Sequence, residues 1–222
     1  MIQLFHVSKN YEQRPALLDL TLEIEKGDFV LLMGPSGAGK TTLLRLLHCA
    51  ESADEGQILI QNRNISRLRP SDVPYLRRIM GFVFQDFKLL PKKSVYDNVA
   101  LPLIAQGAST ADIRRKVPEA LKAVGIDHKR DSRPPLLSAG EQQRVAIARA
   151  IVAGPLILLA DEPTGNMDPV LAGDIVEVFK AINARGTTVV IATHSRQIAQ
   201  QARCRIVTLS HGRIIGDERS TT

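Results

Sequence analysis

The sequence predicts an α/β protein with a parallel sheet at its core, and three observations predict it. Continuous apolar runs occur at "DFVLLMG" (28–34), "PLILLAD" (155–161) and "TTVVIATH" (187–194). A strand without polar alternation is one covered on both faces. Helical stretches separate these runs, which is the order expected of βα units. The hydrophobic fraction is 44% over 222 residues, enough for a sizeable core.

The elements follow in order. "IQLFHV", "LLDLTLEIE" and "QILIQ" alternate apolar and polar positions, with Leu18, Leu20, Leu22 and Ile24 in phase. They predict half-buried antiparallel strands, hence an N-terminal antiparallel β subdomain. "GPSGAGKTT" (34–42) leaves the first buried strand and enters the helical "LLRLLHC", and "GFVF" is a further short strand. Between about residues 97 and 150 the pattern is helical, with Ile113, Val117, Leu121 and Val124 at helical spacing. Ser109 is a cap for that helix and Gly125 a stop, and Pro118 predicts a kink or a restart. "SHGRII" is a turn between two last strands. No repeat or low-complexity linker breaks the chain. The expected organisation is a single domain over 1–222: a core plus β subdomain from 1–86 and 155–222, and an inserted α-helical subdomain over 87–154.

Composition narrows the function. Trp is absent and aromatics are 4%, so stacking platforms for nucleic acid are scarce and no nucleic-acid partner is expected. Cys49 and Cys204 lie far apart, which makes neither a disulfide framework nor a metal site. The N-terminal "MIQLFHVSKNY" alternates like a strand, and no apolar stretch nears the roughly 20 residues of a bilayer span. A soluble cytoplasmic chain is expected, one that reaches a membrane through a partner. The net charge is +6, and the segment from Arg63 to Lys93 alone carries that excess: Arg63, Arg67, Arg69, Arg77, Arg78, Lys88, Lys92 and Lys93 against Asp72 and Asp86. It is either a solvated face or a docking surface for an acidic partner or an anionic membrane surface.

The chemistry sits in "GPSGAGKTT", a GxxxxGK[ST] loop between a buried strand and a helix. Its glycines let the backbone wrap phosphate oxygens, and successive N–H groups form an anion nest. Lys40 supplies a charge to the outer phosphates, and Thr41 a hydroxyl to Mg²⁺. The second half should be a carboxylate at the end of another parallel strand, and "LILLADE" provides two. Asp161 is placed to hold Mg²⁺ through water. Glu162, one residue beyond, can accept a proton from an attacking water. Gln85 after "GFVF" and His194 after "VVIAT" reach towards the γ-phosphate region. A second anion site lies in "LLSAGEQQRVAIARA" (136–150), where Ser138 and Gly140 open a helix whose N-terminus favours negative charge.

Together these motifs resemble the ATP-binding cassette ATPases over nearly the whole chain. "GPSGAGKT" resembles their Walker A, which makes Gly34, Pro35, Ser36, Gly37, Ala38, Gly39, Lys40, Thr41 and Thr42 nucleotide-binding. "LILLADE" resembles Walker B with Glu162 as the catalytic base, "FQD" the loop carrying Gln85, and "ATHS" the switch loop of His194. The resemblance implies ATP and Mg²⁺ as ligands, with Thr41, Gln85 and Asp161 around the metal, and Tyr11 stacking on adenine. "TGNMD" is similar to the loop that places Asp168 at a dimer interface. "LSAGE" is similar to the signature LSGGQ or LSGGE, with Ala139 in place of its first glycine. In that family two copies pair head to tail on binding ATP. Ser138, Ala139, Gly140 and Glu141 would then meet the nucleotide held by the other copy. Alanine is small, so phosphate access is expected to survive.

Within the family, "VPYLRRIMGFVFQDFKLLPKKSVYDNVALPL", "ADEPTGN" and "SAGEQQRVAIARA" are most similar to the ATPases of bacterial cell division. Those work with an integral membrane subunit that controls peptidoglycan hydrolases, and sit on the cytoplasmic face of the inner (plasma) membrane. The alternative is the ATPase of a lipoprotein-release or macrolide-efflux transporter.

Overall fold

A computed structural model describes residues 1–12, 14–165, 167–195, 198–199 and 204–219. The alternating N-terminal segments form β1 (Ile2–Tyr11) and β2 (Arg14–Ile24), paired antiparallel with Leu4 opposite Leu22. The first apolar run is β3 (Phe29–Met33), and α1 (Lys40–Leu47) follows the phosphate loop. β4 (Glu55–Ile60) returns antiparallel to β1, and the short β5 (Arg63–Asn64) pairs with β4. The order in this sheet is β2-β1-β4-β5.

The remaining elements are α2 (Val73–Arg77), β6 (Met80–Val83), α3 (Val95–Ala105), α4 (Thr110–Ala123), α5 (Ala139–Ile151), β7 (Ile157–Asp161), α6 (Pro169–Asn183), β8 (Thr188–Thr193), β9 (Arg205–Ser210) and β10 (Arg213–Glu218). The second sheet has the order β10-β9-β3-β8-β7-β6. Its strands are parallel except for β10, which closes one edge antiparallel to β9. Strand alternation explains the apolar runs. Leu31, Leu158, Ala160, Val189 and Ile191 join one core with α3, α4, α5 and α6. Val30, Leu32, Ile157, Leu159, Val190 and Ala192 join another, with α1 and the antiparallel sheet. Both faces are covered, so polar alternation has no place there.

Ser109 caps α4 through the Asp112 N–H, and Gly125 stands just past its C-cap with φ of +72°. Of the kink or restart expected at Pro118, the restart does not occur, because α4 runs from Thr110 to Ala123 through it. The ring leaves the Arg114 carbonyl without its helical donor, but Arg114 is exposed and solvent can take that carbonyl. Meanwhile Val117, Ala120 and Leu121 are buried and hold the helix on its neighbours. Among the described residues, no helix is long and apolar enough to cross a membrane.

Candidate functional site

Parallel register gathers the site at one sheet edge. Met33 pairs with Thr193, Asp161 with Ala192 and Val83 with Ala160. The residues after each strand, Gly34, Glu162, His194 and Gln85, therefore leave the sheet on the same side, where ligands bind in open α/β sheets.

The phosphate loop depends on two glycines. At Gly34 an added Cβ would lie 2.3 Å from the Leu209 carbonyl oxygen. At Gly39, with φ of +105°, it would lie 2.5 Å from the Ala16 carbonyl oxygen and 2.6 Å from Leu17 Cδ2. Gly39 is also the N-cap of α1 and offers no side-chain acceptor, so the first helical N–H groups are left for a ligand. Lys40 is buried, and its Nζ donates to the carbonyls of Gly34 at 2.8 Å and Pro35 at 3.1 Å.

A cavity of about 630 Å³ opens above this loop. It is lined by Tyr11, Ala16, Pro35, Ser36, Gly37, Ala38, Gly39, Lys40, Thr41, Thr42, Gln85, Glu162 and His194. Thr41 Oγ1 donates to Asp161 Oδ1 at 3.0 Å. Burial pushes the Asp161 carboxyl above its ordinary value, against the Thr41 hydrogen bond, and the Glu162 charge adds to the rise. Glu162 holds a left-handed backbone, φ +45°, with its N–H on the Ala192 carbonyl at 2.9 Å. Such strain in a non-glycine residue costs on the order of 1–3 kcal/mol and persists where the surroundings impose it. One carboxylate oxygen, Oε1, lies 3.0 Å from His194 Nδ1 and 3.6 Å from Lys40 Nζ. The other, Oε2, is buried without a hydrogen-bond partner among the described residues.

A second cavity, of about 680 Å³, shares Thr41 and Gln85 with the first and adds Asp161, Arg45, His48, Phe82, Phe84 and Phe87. Sequence reasoning passed over Arg45 and His48, which carry no motif. Burial, and then the Arg77 charge, hold the His48 imidazole down to about 4.

The signature residues are elsewhere: Ser138, Ala139, Gly140 and Glu141 do not line the nucleotide-sized cavity. Ser138 caps α5, its Oγ accepting the Glu141 N–H at 3.3 Å while its own N–H donates to Glu141 Oε2 at 2.8 Å. That backbone hydrogen bond holds the Glu141 carboxyl below its usual range. Ala139 is exposed and is not among the positive-φ residues, so alanine fits where the signature has glycine. Asp168 caps α6, Oδ1 accepting from the N–H groups of Val170 at 3.0 Å and Leu171 at 3.1 Å. Asn166, in the same motif, lies outside the described residues.

The basic segment divides. Arg77 donates to the carbonyls of His48 and Cys49 at 3.1 Å each, closing the C-terminal end of α1. Lys88 pairs with Asp86 at 2.5 Å and Arg63 with Asp72 at 3.8 Å, whereas Lys92 and Lys93 are exposed.

Comparison with known proteins meets the same chemistry. The ABC transporter family model matches residues 17–165. The "Cell division ATP-binding protein FtsE" of Mycobacterium tuberculosis is 51% identical over 220 residues, 98% of this chain and 96% of that protein. Its namesake in Escherichia coli K12 is 48% identical over 217 residues, 97% of this chain and 98% of that protein. Among solved structures, the dimeric ABC transporter cassette MJ0796 superposes with a TM-score of 0.91 at 37% identity, covering both chains in full (100%). A post-hydrolysis dimer of the same cassette, bound to ADP and Pi, gives 0.91 at 36% identity with the same coverage of 100%.

Proposed function

The chain belongs to the ABC transporter family, and from that premise we propose that it is the ATP-hydrolysing subunit of a cell-division complex of the FtsEX type. In this reading it works as a homodimer formed on ATP, at the cytoplasmic face of the inner membrane. It is held there by an integral membrane subunit resembling FtsX, which passes the cycle on to peptidoglycan hydrolases. Identity of 51% over nearly the whole length of a division protein, and the dimeric state of the similar cassette, support it.

One observation carries the catalytic part: the two oxygens of Glu162 have different surroundings. Oε1 faces His194 and Lys40, which fix the carboxylate, and Oε2 has no donor among the described residues. A buried acceptor left open is suited to take a proton from a water attacking the terminal phosphate. Lys40 exchanges its two carbonyl partners for phosphate oxygens, and the uncapped N-terminus of α1 receives the rest of the chain of phosphates. Tyr11, which lines the same cavity, is the platform for the base. Thr41 and Asp161 present two oxygen ligands 3.0 Å apart, and Gln85 lines the second cavity with them. That set of hard oxygen ligands fits Mg²⁺, which would neutralise phosphate charge there. Ser138, Ala139, Gly140 and Glu141 serve the partner copy's nucleotide, with Asp168 beside them. The exposed Lys92 and Lys93 are candidates to face an anionic membrane surface.

The test is Glu162→Gln. Hydrolysis should fall by about 10²–10⁴-fold while ATP binding persists, and sizing chromatography with Mg-ATP should show a trapped dimer. A monomer saturated with ATP would sink the reading.

A further inference from the structure

Tyr11 ends β1 beside the turn into β2, where strand pairing constrains a side chain least. Two acidic residues from the loop between α1 and β4 reach across to this end. The Tyr11 hydroxyl donates to Glu51 Oε2. Asp54 accepts from Lys9 Nζ at 2.9 Å and from the Asn10 N–H at 2.6 Å. The other oxygen of Glu51 accepts from Arg45 Nη1 at 3.2 Å. Arg45 belongs to α1, the helix whose first residues are Lys40 and Thr41. One carboxylate therefore joins the Tyr11 ring to the helix that begins in the phosphate loop.

From this bridge we infer that Glu51 is a positioning residue, which holds the Tyr11 ring at a set reach from the phosphate loop and so tunes the cavity to a nucleoside triphosphate rather than to a bare phosphate chain. The inference rests on Tyr11 being the base platform. The physical reason is preorganisation: a ring tied at its hydroxyl has already lost the rotamer freedom that binding would otherwise remove. Glu51 does not line the cavity: its Oε2 reaches the ligand through Tyr11, while its Oε1 is tied to Arg45, which lines the second cavity. The phosphate loop has supports of its own, because Lys40 and the loop glycines are held by backbone carbonyls and by packing.

The experiment is calorimetric titration of Glu51→Ala, Glu51→Gln and Tyr11→Ala with ATP and, separately, with inorganic tripolyphosphate. Glu51→Ala should weaken ATP about three- to ten-fold, the scale of one lost hydrogen bond, and leave tripolyphosphate within about two-fold. Glu51→Gln should recover part of the loss, since its amide oxygen still accepts from the Tyr11 hydroxyl. Equal weakening of both ligands, or of neither, overturns the assignment. Tyr11→Ala separates the premise from the inference. If it changes the ratio of ATP to tripolyphosphate affinity and Glu51→Ala does not, only the role of Glu51 is lost. If it leaves the ratio unchanged, the base platform itself is wrong and the role of Glu51 goes with it.

Discussion

Two helix N-termini in this molecule carry the motifs read as anion sites, and they are finished differently. α1 begins at a left-handed glycine, has no side-chain cap and opens into a cavity of its own chain. α5 begins at Ser138, which trades hydrogen bonds with Glu141 in a reciprocal capping box on an exposed surface. Both carry the same partial positive charge of aligned peptide dipoles. The difference lies in the cap: α1 has no side-chain cap, whereas at α5 the chain itself satisfies the N–H groups of Ser138 and Glu141. An end already capped does not need a ligand to be stable. Its position on an exposed surface is one that the head-to-tail pairing proposed above would bring to a partner's phosphate.

The comparison can be broken most severely at Gly39. Gly39→Ala puts a methyl group 2.5 Å from the Ala16 carbonyl oxygen at a φ of +105°. ATP affinity should drop by at least about ten-fold, and thermal unfolding should show a cost of about 1–3 kcal/mol. An unchanged titration curve would mean that the loop is not held as described. Glu141→Ala probes the other helix, with a smaller effect. Losing half of the capping box should cost about 1 kcal/mol, or roughly 2–4 °C in melting temperature for a chain of this size. At low protein concentration ATP affinity should not move, since Glu141 is not part of the cavity wall; ATP-driven dimerisation, read by sizing chromatography, should weaken. If Glu141→Ala damages ATP binding by the isolated monomer, the two ends are not separate. The smallest effect is expected at Ala139→Gly. Position 139 is exposed and needs no left-handed conformation. Stability should stay within about 0.5 kcal/mol, and ATP hydrolysis should be nearly unchanged. A large gain in activity would show that the signature glycine does something that alanine at this helical position cannot.

Much of this was legible from local pattern. The phosphate loop announces itself because only glycine fits beside the Leu209 and Ala16 carbonyls, and the motif records that constraint residue by residue. The caps at Ser109 and Ser138 are equally local, each satisfied by an N–H three residues on. The buried strands show as apolar runs because both faces are covered, and the N-terminal strands alternate because one face is not. Pro118 is the instructive failure. Propensity alone breaks a helix there, and packing of Val117, Ala120 and Leu121 overrides it.

What the sequence determined by itself, then, is chemistry and period: which residues can meet phosphate, which strands are buried and where helices start. Only the tertiary structure decided which of those residues share a cavity. The sheet order β10-β9-β3-β8-β7-β6 is not chain order, and it is this order that sets Gly34, Glu162, His194 and Gln85 side by side. The same holds for Tyr11 and Glu51, which lie 40 residues apart in the chain, and for Arg77, which spans 29 residues to close the end of α1. A motif is written by short-range sterics and hydrogen bonding, which neighbouring residues reveal. A contact across the fold is fixed by how whole strands pack, and no single stretch of sequence contains that information.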